Sequence, residues 1–207
     1  MELLVTLGRT LGFSFAAGVN LYATIAILGL ASRFDWVALP PQFAVFDSNW
    51  VIGAAIACYA IEFVADKVPW VDTAWDAVHT VIRPIGGAFI AVTTLGEASP
   101  GAQAAVALLG GGVAAASHLT KASTRVAANS SPEPFSNWAL SLLEDVFVVG
   151  VGALALAFPA LAFGVVLGLL VLIAVFSMAI VRAFRRRGRR DGGPNGGAQL
   201  PTVNASV

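Results

Sequence analysis

The sequence predicts an all-α protein, a six-helix transmembrane bundle with both termini cytoplasmic, and three observations carry that prediction. Of the 207 residues, 57% are hydrophobic and only 12% charged, about half the charged share of a soluble domain, and the mean hydropathy is +0.81. Residues 10–32, 98–117 and 146–181 contain no Asp, Glu, Lys or Arg, and a helix needs about 20 apolar residues to cross the hydrocarbon. The net charge of zero hides an asymmetry, because six of the 12 basic residues lie between Arg182 and Arg190, directly after the last apolar run. Positive charge there marks the cytoplasmic side. Soluble enzymes, secreted disulfide scaffolds and disordered chains are excluded, and the single cysteine, Cys58, has no partner for a disulfide.

The first span is expected over about residues 8–31, bounded by Arg9 and Arg33, with Gly18-Val19-Asn20 marking a bend. Its apolar run is too long for a signal-peptide core, so it is read as a retained span. Residues 33–49 hold Pro40-Pro41, Trp36 and several Phe, which suits a loop in the headgroup region, where aromatic rings are favoured. The second and third spans, about 50–68 and 74–96, must take charged residues into the membrane, with Pro69-Trp70-Val71-Asp72 as the turn between them. The fourth, fifth and sixth follow at about 102–124, 137–158 and 160–183, Pro159 breaking the long apolar stretch between the last two. Residues 1–183 thus form the membrane domain, and 184–207 a basic, then Gly-rich, disordered cytoplasmic tail.

An even count puts both termini on one side. On that count Arg9, Lys67, Arg83, Lys121, Arg125 and the six tail arginines fall on or near the cytoplasmic side, leaving Arg33 outside. The Asn-x-Ser triplets at Asn129 and Asn204 then lie inside and are coincidental. Gly53 matches Gly111 and Lys67 matches Arg125 at an offset of 58, while Trp75 matches Trp138 and Gly87 matches Gly150 at 63. Spans two and three would therefore echo four and five as a parallel repeat about an axis near the membrane normal. Gly8 with Gly12, Gly164 with Gly168, Gly86-Gly87 and Gly110-Gly111-Gly112 offer small faces for close helix approach.

Intramembrane charge is the informative feature, since an ionised group at bilayer depth costs roughly 2.5–3.5 kcal/mol even on the permissive insertion scale. Glu62 and Asp66 stand four apart on span two; Asp76, His79 and Arg83 lie at i, i+3, i+7 on span three; His118, Lys121 and Arg125 repeat that spacing on span four. Each set lines one helix face. Span five adds Glu144-Asp145, and all of these fall in the cytoplasmic half. Six acids (with Asp72) face four bases (with Lys67), alongside two histidines. Ion pairs that fix helix register would explain some of them, and Thr73-x-x-Asp76 and Ser141-x-x-Glu144 fit capping boxes. So many ionisable positions on four helices also suit a hydrated cavity. Such a cavity could relay protons, hold a divalent metal, a reading that no ligand spacing such as HExxH supports, or bind a phosphate or carboxylate through Arg83, Lys121 and Arg125.

The segments Gly18-Val-Asn20-Leu-Tyr22, Glu62-Phe-Val-Ala-Asp66-Lys67-Val-Pro69-Trp-Val-Asp72, Asp76-Ala-Val-His79-Thr-Val-Ile-Arg83-Pro84, His118-Leu-Thr-Lys121-Ala-Ser-Thr-Arg125, and Ser136-Asn137 with Glu144-Asp145 resemble domain-of-unknown-function family 4126, largely bacterial integral membrane proteins. The likeness covers residues 8 to about 180. It implies a polytopic protein of the cell membrane and no assigned activity. Leu21 stands where that family's Gly-x-Asn-Ala-Tyr form has Ala.

The expected function is a small ion or solute transporter or channel. Its candidate path residues are Asn20, Tyr22, Glu62, Asp66, Lys67, Asp76, His79, Arg83, His118, Lys121, Arg125, Glu144 and Asp145. The alternative is a non-transporting scaffold or lipid-interacting protein whose ion pairs are structural. In both, the bilayer is the main partner, the arginines from Arg182 to Arg190 meet anionic lipid, and nucleic acid is not a partner. No cofactor is implied. No nucleophile motif or phosphate loop marks an enzyme.

Overall fold

The computed structural model describes residues 1–129 and 135–191, without the side chains of 183, 184 and 186–191. The Gly-rich tail and both Asn-x-Ser triplets fall wholly or partly outside the described residues. Among the described residues every regular element is helical: α1 (Glu2–Val19), α2 (Leu21–Arg33), a 3-10 turn (Pro41–Phe46), α3 (Asn49–Ala65), α4 (Pro69–Leu95), α5 (Pro100–Asn129), α6 (Phe135–Ala157) and α7 (Pro159–Asp191). Four of them, α4, α5, α6 and α7 as far as Arg182, are long and apolar enough to cross a membrane. The chain is a multi-pass helical membrane protein. Met1–Leu170 form one compact unit and a second begins at Val171, so α7 contributes to both; the packing below is that of the first.

The helix ends follow local chemistry. Pro69, Pro100 and Pro159 each open a helix, where the missing N–H costs nothing and φ is already helical. Helix α4 therefore starts at Pro69, and the expected turn at 69–72 is instead its first turn. It ends at Gly96, whose φ of 74° is open to glycine. Thr73-x-x-Asp76 and Ser141-x-x-Glu144 lie inside α4 and α6, so neither is a capping box; the Thr73 hydroxyl donates back to the Pro69 carbonyl.

The first expected span is corrected. Asn20 is extended (φ −149°, ψ 102°) and separates two helices, its Oδ1 accepting from the Ala23 N–H as the cap of α2. The helices then run back on each other. Arg9 on α1 donates to the Ala38 carbonyl beyond the end of α2, and the Phe13 ring meets Phe43 edge-on at 6.0 Å. A single crossing would put Arg9 and Ala38 at opposite ends. Helix α1 instead descends beside α6 and α7, with Gly8 against Pro159 and Gly12 against Ala155, to bring Gly18 against Ala114 and Ser117 of α5. Helix α2 climbs back until Gly29 meets Ile52 at the start of α3. The result is a helical hairpin with Asn20 at its tip.

That tip meets α4 near its middle. Arg83, which donates to the Gly18 carbonyl at 3.2 Å, lies about 21 Å along α4 from Pro69 at 1.5 Å per residue, close to the helix midpoint. Irregular backbone at membrane depth is tolerated only where protein covers it, and Asn20 is 2% exposed.

The core around the hairpin joins Phe13, Ala17, Leu21, Leu28, Phe43, Phe46, Ile90, Ala155 and Ala162. Phe43 and Phe46, expected at the headgroups, are buried; Phe34 and Trp36 are the exposed aromatics of that segment. Of the glycine faces, Gly8 with Gly12 and Gly87 with Gly110 are in use, whereas Gly164 and Gly168 have nothing within 4 Å.

A buried charged cluster as candidate functional site

Helices α4 and α5 run antiparallel, with Thr80 facing His118 and Gly87 facing Gly110. The i, i+3, i+7 sets of both therefore look at one another along a common seam. Helix α3 brings Glu62 and Asp66 to that seam, and α6 brings Glu144.

Three bases organise the cluster. Arg83 and Glu62, both 0% exposed, pair at 2.8 Å. Arg83 Nη1 also donates to His118 Nδ1 at 2.8 Å and to the Gly18 carbonyl, with Asp76 Oδ1 3.5 Å away. Lys121 stands among three carboxylates, Glu62 at 3.3 Å, Asp66 at 3.5 Å and Glu144 at 3.6 Å. Arg125 binds Asp66 at 2.8 Å and Glu144 at 2.9 Å, and its Nη1 is held by Asn137 Oδ1 at 2.7 Å. The network is continuous from the tip of the hairpin to Asp66 at the end of α3 and Arg125 near the end of α5.

Donor and acceptor roles fix both histidine tautomers. His118 Nδ1 faces a guanidinium, which only donates, so it carries the lone pair; Nε2 then bears the proton and points to the Thr80 hydroxyl at 3.1 Å. His79 is the reverse. Its Nδ1 meets the Trp75 carbonyl at 2.7 Å and bears the proton, leaving Nε2 to accept from the Tyr22 hydroxyl at 3.0 Å. The Trp75 indole donates to Glu62 Oε2 at 3.3 Å, so Tyr22, His79, Trp75 and Glu62 form one chain of contacts from α2 to α3.

Several expected roles change. Asn20 is not in the cluster; its side chain caps α2. Lys67 donates to the Phe63 carbonyl and to Ser141 Oγ, with its ammonium 3.1 Å from the centre of the Phe63 ring. The neighbours Glu144 and Asp145 part company: Glu144 faces α5 and pairs with Lys121 and Arg125, whereas Asp145 joins neither base. Asp72 joins the cluster 3.9 Å from Arg125, with Asn129 donating to its other oxygen at 2.7 Å. Asn137, Trp75, Thr80 and Asn129 are partners that charge spacing did not single out. Their signal in the sequence was polar side chains at the ends or on the charged faces of apolar helices. No group of three or more His, Cys, Asp and Glu side chains is arranged to hold a metal ion among the described residues.

Fold and cluster together define an integral membrane protein with a helical hairpin seated on a buried ionic network. A family model described as Domain of unknown function (DUF4126) matches residues 7–179, and the chain belongs to that family. No curated protein and no solved structure matches it.

Proposed function

We propose that the protein moves a small ion or polar solute across the cell membrane, the charged cluster being its cytoplasmic-side coupling site. The observation that carries this reading is the broken hairpin at Asn20 resting on Arg83 through the Gly18 carbonyl. Helix ends meeting at mid-depth beside ionisable groups are how transporters present backbone to a solute, and intramembrane charge is costly to keep without a use.

In this reading α3–α7 make five crossings. The hairpin enters from the outer face with Arg9 and Arg33, while Lys67, Arg125 and the arginines from Arg182 to Arg190 lie inside, the last against anionic lipid. The N-terminus is then outside and the tail cytoplasmic, which replaces the six-span, N-in arrangement. A structural scaffold is the second reading, favoured by the dense pairing of Arg83, Lys121 and Arg125. Purified protein in liposomes, assayed against protons, alkali cations and small zwitterions, tests the choice. Flux altered by Tyr22→Phe at normal stability supports transport, and no flux for any of them supports the scaffold.

A further inference from the structure

One carboxylate of the cluster is left out of its hydrogen bonding. Asp76 is 5% exposed, yet neither Oδ1 nor Oδ2 has a hydrogen-bond partner among the described residues. Its nearest base, Arg83 Nη1 at 3.5 Å, has two hydrogens, and they go to the Gly18 carbonyl and His118 Nδ1. Asp76 thus feels the field of Arg83 without receiving a proton from it. Asp72, one turn earlier, also has an oxygen without a hydrogen-bond partner.

Asp76 lines an open groove of about 190 Å³ along the α4–α5 seam, with Ala122, Arg125 and the exposed Thr73, Ala77, Thr80 and Val126. The polar valences left open there are acceptors. Arg125 spends its donors on Asp66, Glu144 and Asn137. The Thr73 and Thr80 hydroxyl hydrogens go to the carbonyls of Pro69 and Asp76, and each oxygen accepts once, from Asn129 Nδ2 at 3.4 Å and from His118 Nε2 at 3.1 Å, which leaves one lone pair apiece. At about 30 Å³ per water the space holds roughly six waters, or an ion with part of its shell. The cluster has five carboxylates, Glu62, Asp66, Asp72, Asp76 and Glu144, for three bases, Arg83, Lys121 and Arg125, so positive charge is missing rather than in excess.

We infer that Asp76, with Thr73 and Thr80, binds a small monovalent cation, Na⁺ or K⁺, between α4 and α5. Oxygen-only donors suit a hard cation, and one carboxylate with two hydroxyls is too little negative charge for a divalent ion, which gathers more anionic ligands. That this ion is the one coupled to transport rests on the function proposed above; the site itself does not.

The test is binding to the full chain in nanodiscs, using ²²Na⁺ and ⁸⁶Rb⁺ at constant ionic strength set with N-methylglucamine, together with thermal unfolding under the same conditions. The expected result is saturable uptake near one ion per chain and a melting temperature that rises with Na⁺ or K⁺. Asp76→Asn should abolish both, Thr80→Val should weaken binding several-fold, and Asp47→Asn, at the half-buried Arg33 pair away from the groove, should leave both unchanged. If Asp76→Asn does not fold, the Thr80→Val loss carries the assignment. Absence of binding by the unmodified protein, binding that survives both substitutions, or a response to pH alone overturns it. Binding without liposome flux would retire the transport reading and keep the site; flux without binding would do the opposite.

Discussion

Glu62→Gln and Asp76→Asn are the same chemical change fourteen residues apart, and they are expected to have opposite consequences. Every polar neighbour of the Glu62 carboxylate is a donor: Arg83 Nη2 at 2.8 Å, Lys121 Nζ at 3.3 Å and Trp75 Nε1 at 3.3 Å. An amide must therefore aim its own N–H₂ at another donor. Removing one partner of a buried pair costs about 3–5 kcal/mol. Lys121 keeps Asp66 and Glu144, and Arg83 keeps Asp76 at 3.5 Å, which points to the lower end, about 3 kcal/mol. Asp76 gives up no hydrogen bond to its oxygens, so its amide should cost roughly 1 kcal/mol or less. A gap of about 2 kcal/mol is roughly thirty-fold in the unfolding equilibrium. Reversible unfolding in mixed micelles, titrated with a denaturing detergent and followed by tryptophan fluorescence, measures both. Equal stability for Glu62→Gln and the parent, or a larger loss for Asp76→Asn than for Glu62→Gln, would refute this account of the cluster.

Gly18→Ala should destabilise by about 1–3 kcal/mol, because a Cβ there meets Ser117 Oγ and the Ala114 backbone, whereas Gly164→Ala meets nothing within 4 Å and should be silent in the same titration. Asn20→Ala should cost about 1 kcal/mol through the lost cap of α2, with the neutral cap of Asn20→Ser recovering most of it. In a Cys58→Ala background, an impermeant thiol reagent applied outside should label Leu3→Cys and Ser99→Cys and spare Trp70→Cys; protection of Leu3→Cys would restore a single crossing for residues 8–31. Nitrogen NMR of labelled histidine should find the proton on Nδ1 of His79 and on Nε2 of His118, and the opposite tautomer at His118 would break its bond to Arg83.

The cluster was legible because helical periodicity alone aligns Asp76 with Arg83 and His118 with Arg125, whatever the helices do in space. Assigning partners took the antiparallel seam between α4 and α5, which no single helix encodes. The parting of Glu144 and Asp145 could have been read as well, since consecutive helical residues point about 100° apart. The hairpin was not legible for a physical reason. Residues 10–32 are a charge-free run of the right length for one crossing, and Gly18-Val19-Asn20 signals a break but not the direction of the chain after it. Direction is decided by distant groups, Ala38 for Arg9 and Phe43 for Phe13. Counting Arg9 as cytoplasmic followed from the assumed even number of spans, not from Arg9 itself. The burial of Phe43 and Phe46 escaped for the same reason: the rings that cover the hairpin look like any interfacial aromatics until the hairpin exists.

The ion pairs also set a timetable for biosynthesis. Glu62 is followed by Arg83 only 21 residues later, but Lys121 comes 59 residues after Glu62, and Arg125 59 after Asp66. At about 5–20 residues per second the first base emerges within roughly 1–4 s and the second pair only after roughly 3–12 s. Helix α3 thus leaves the ribosome before Lys121 and Arg125, two of the bases that pair with its carboxylates, have been made. A nascent chain arrested between α4 and α5 should hold α3 at the edge of the translocon, and release it into lipid once Arg125 has cleared the exit tunnel.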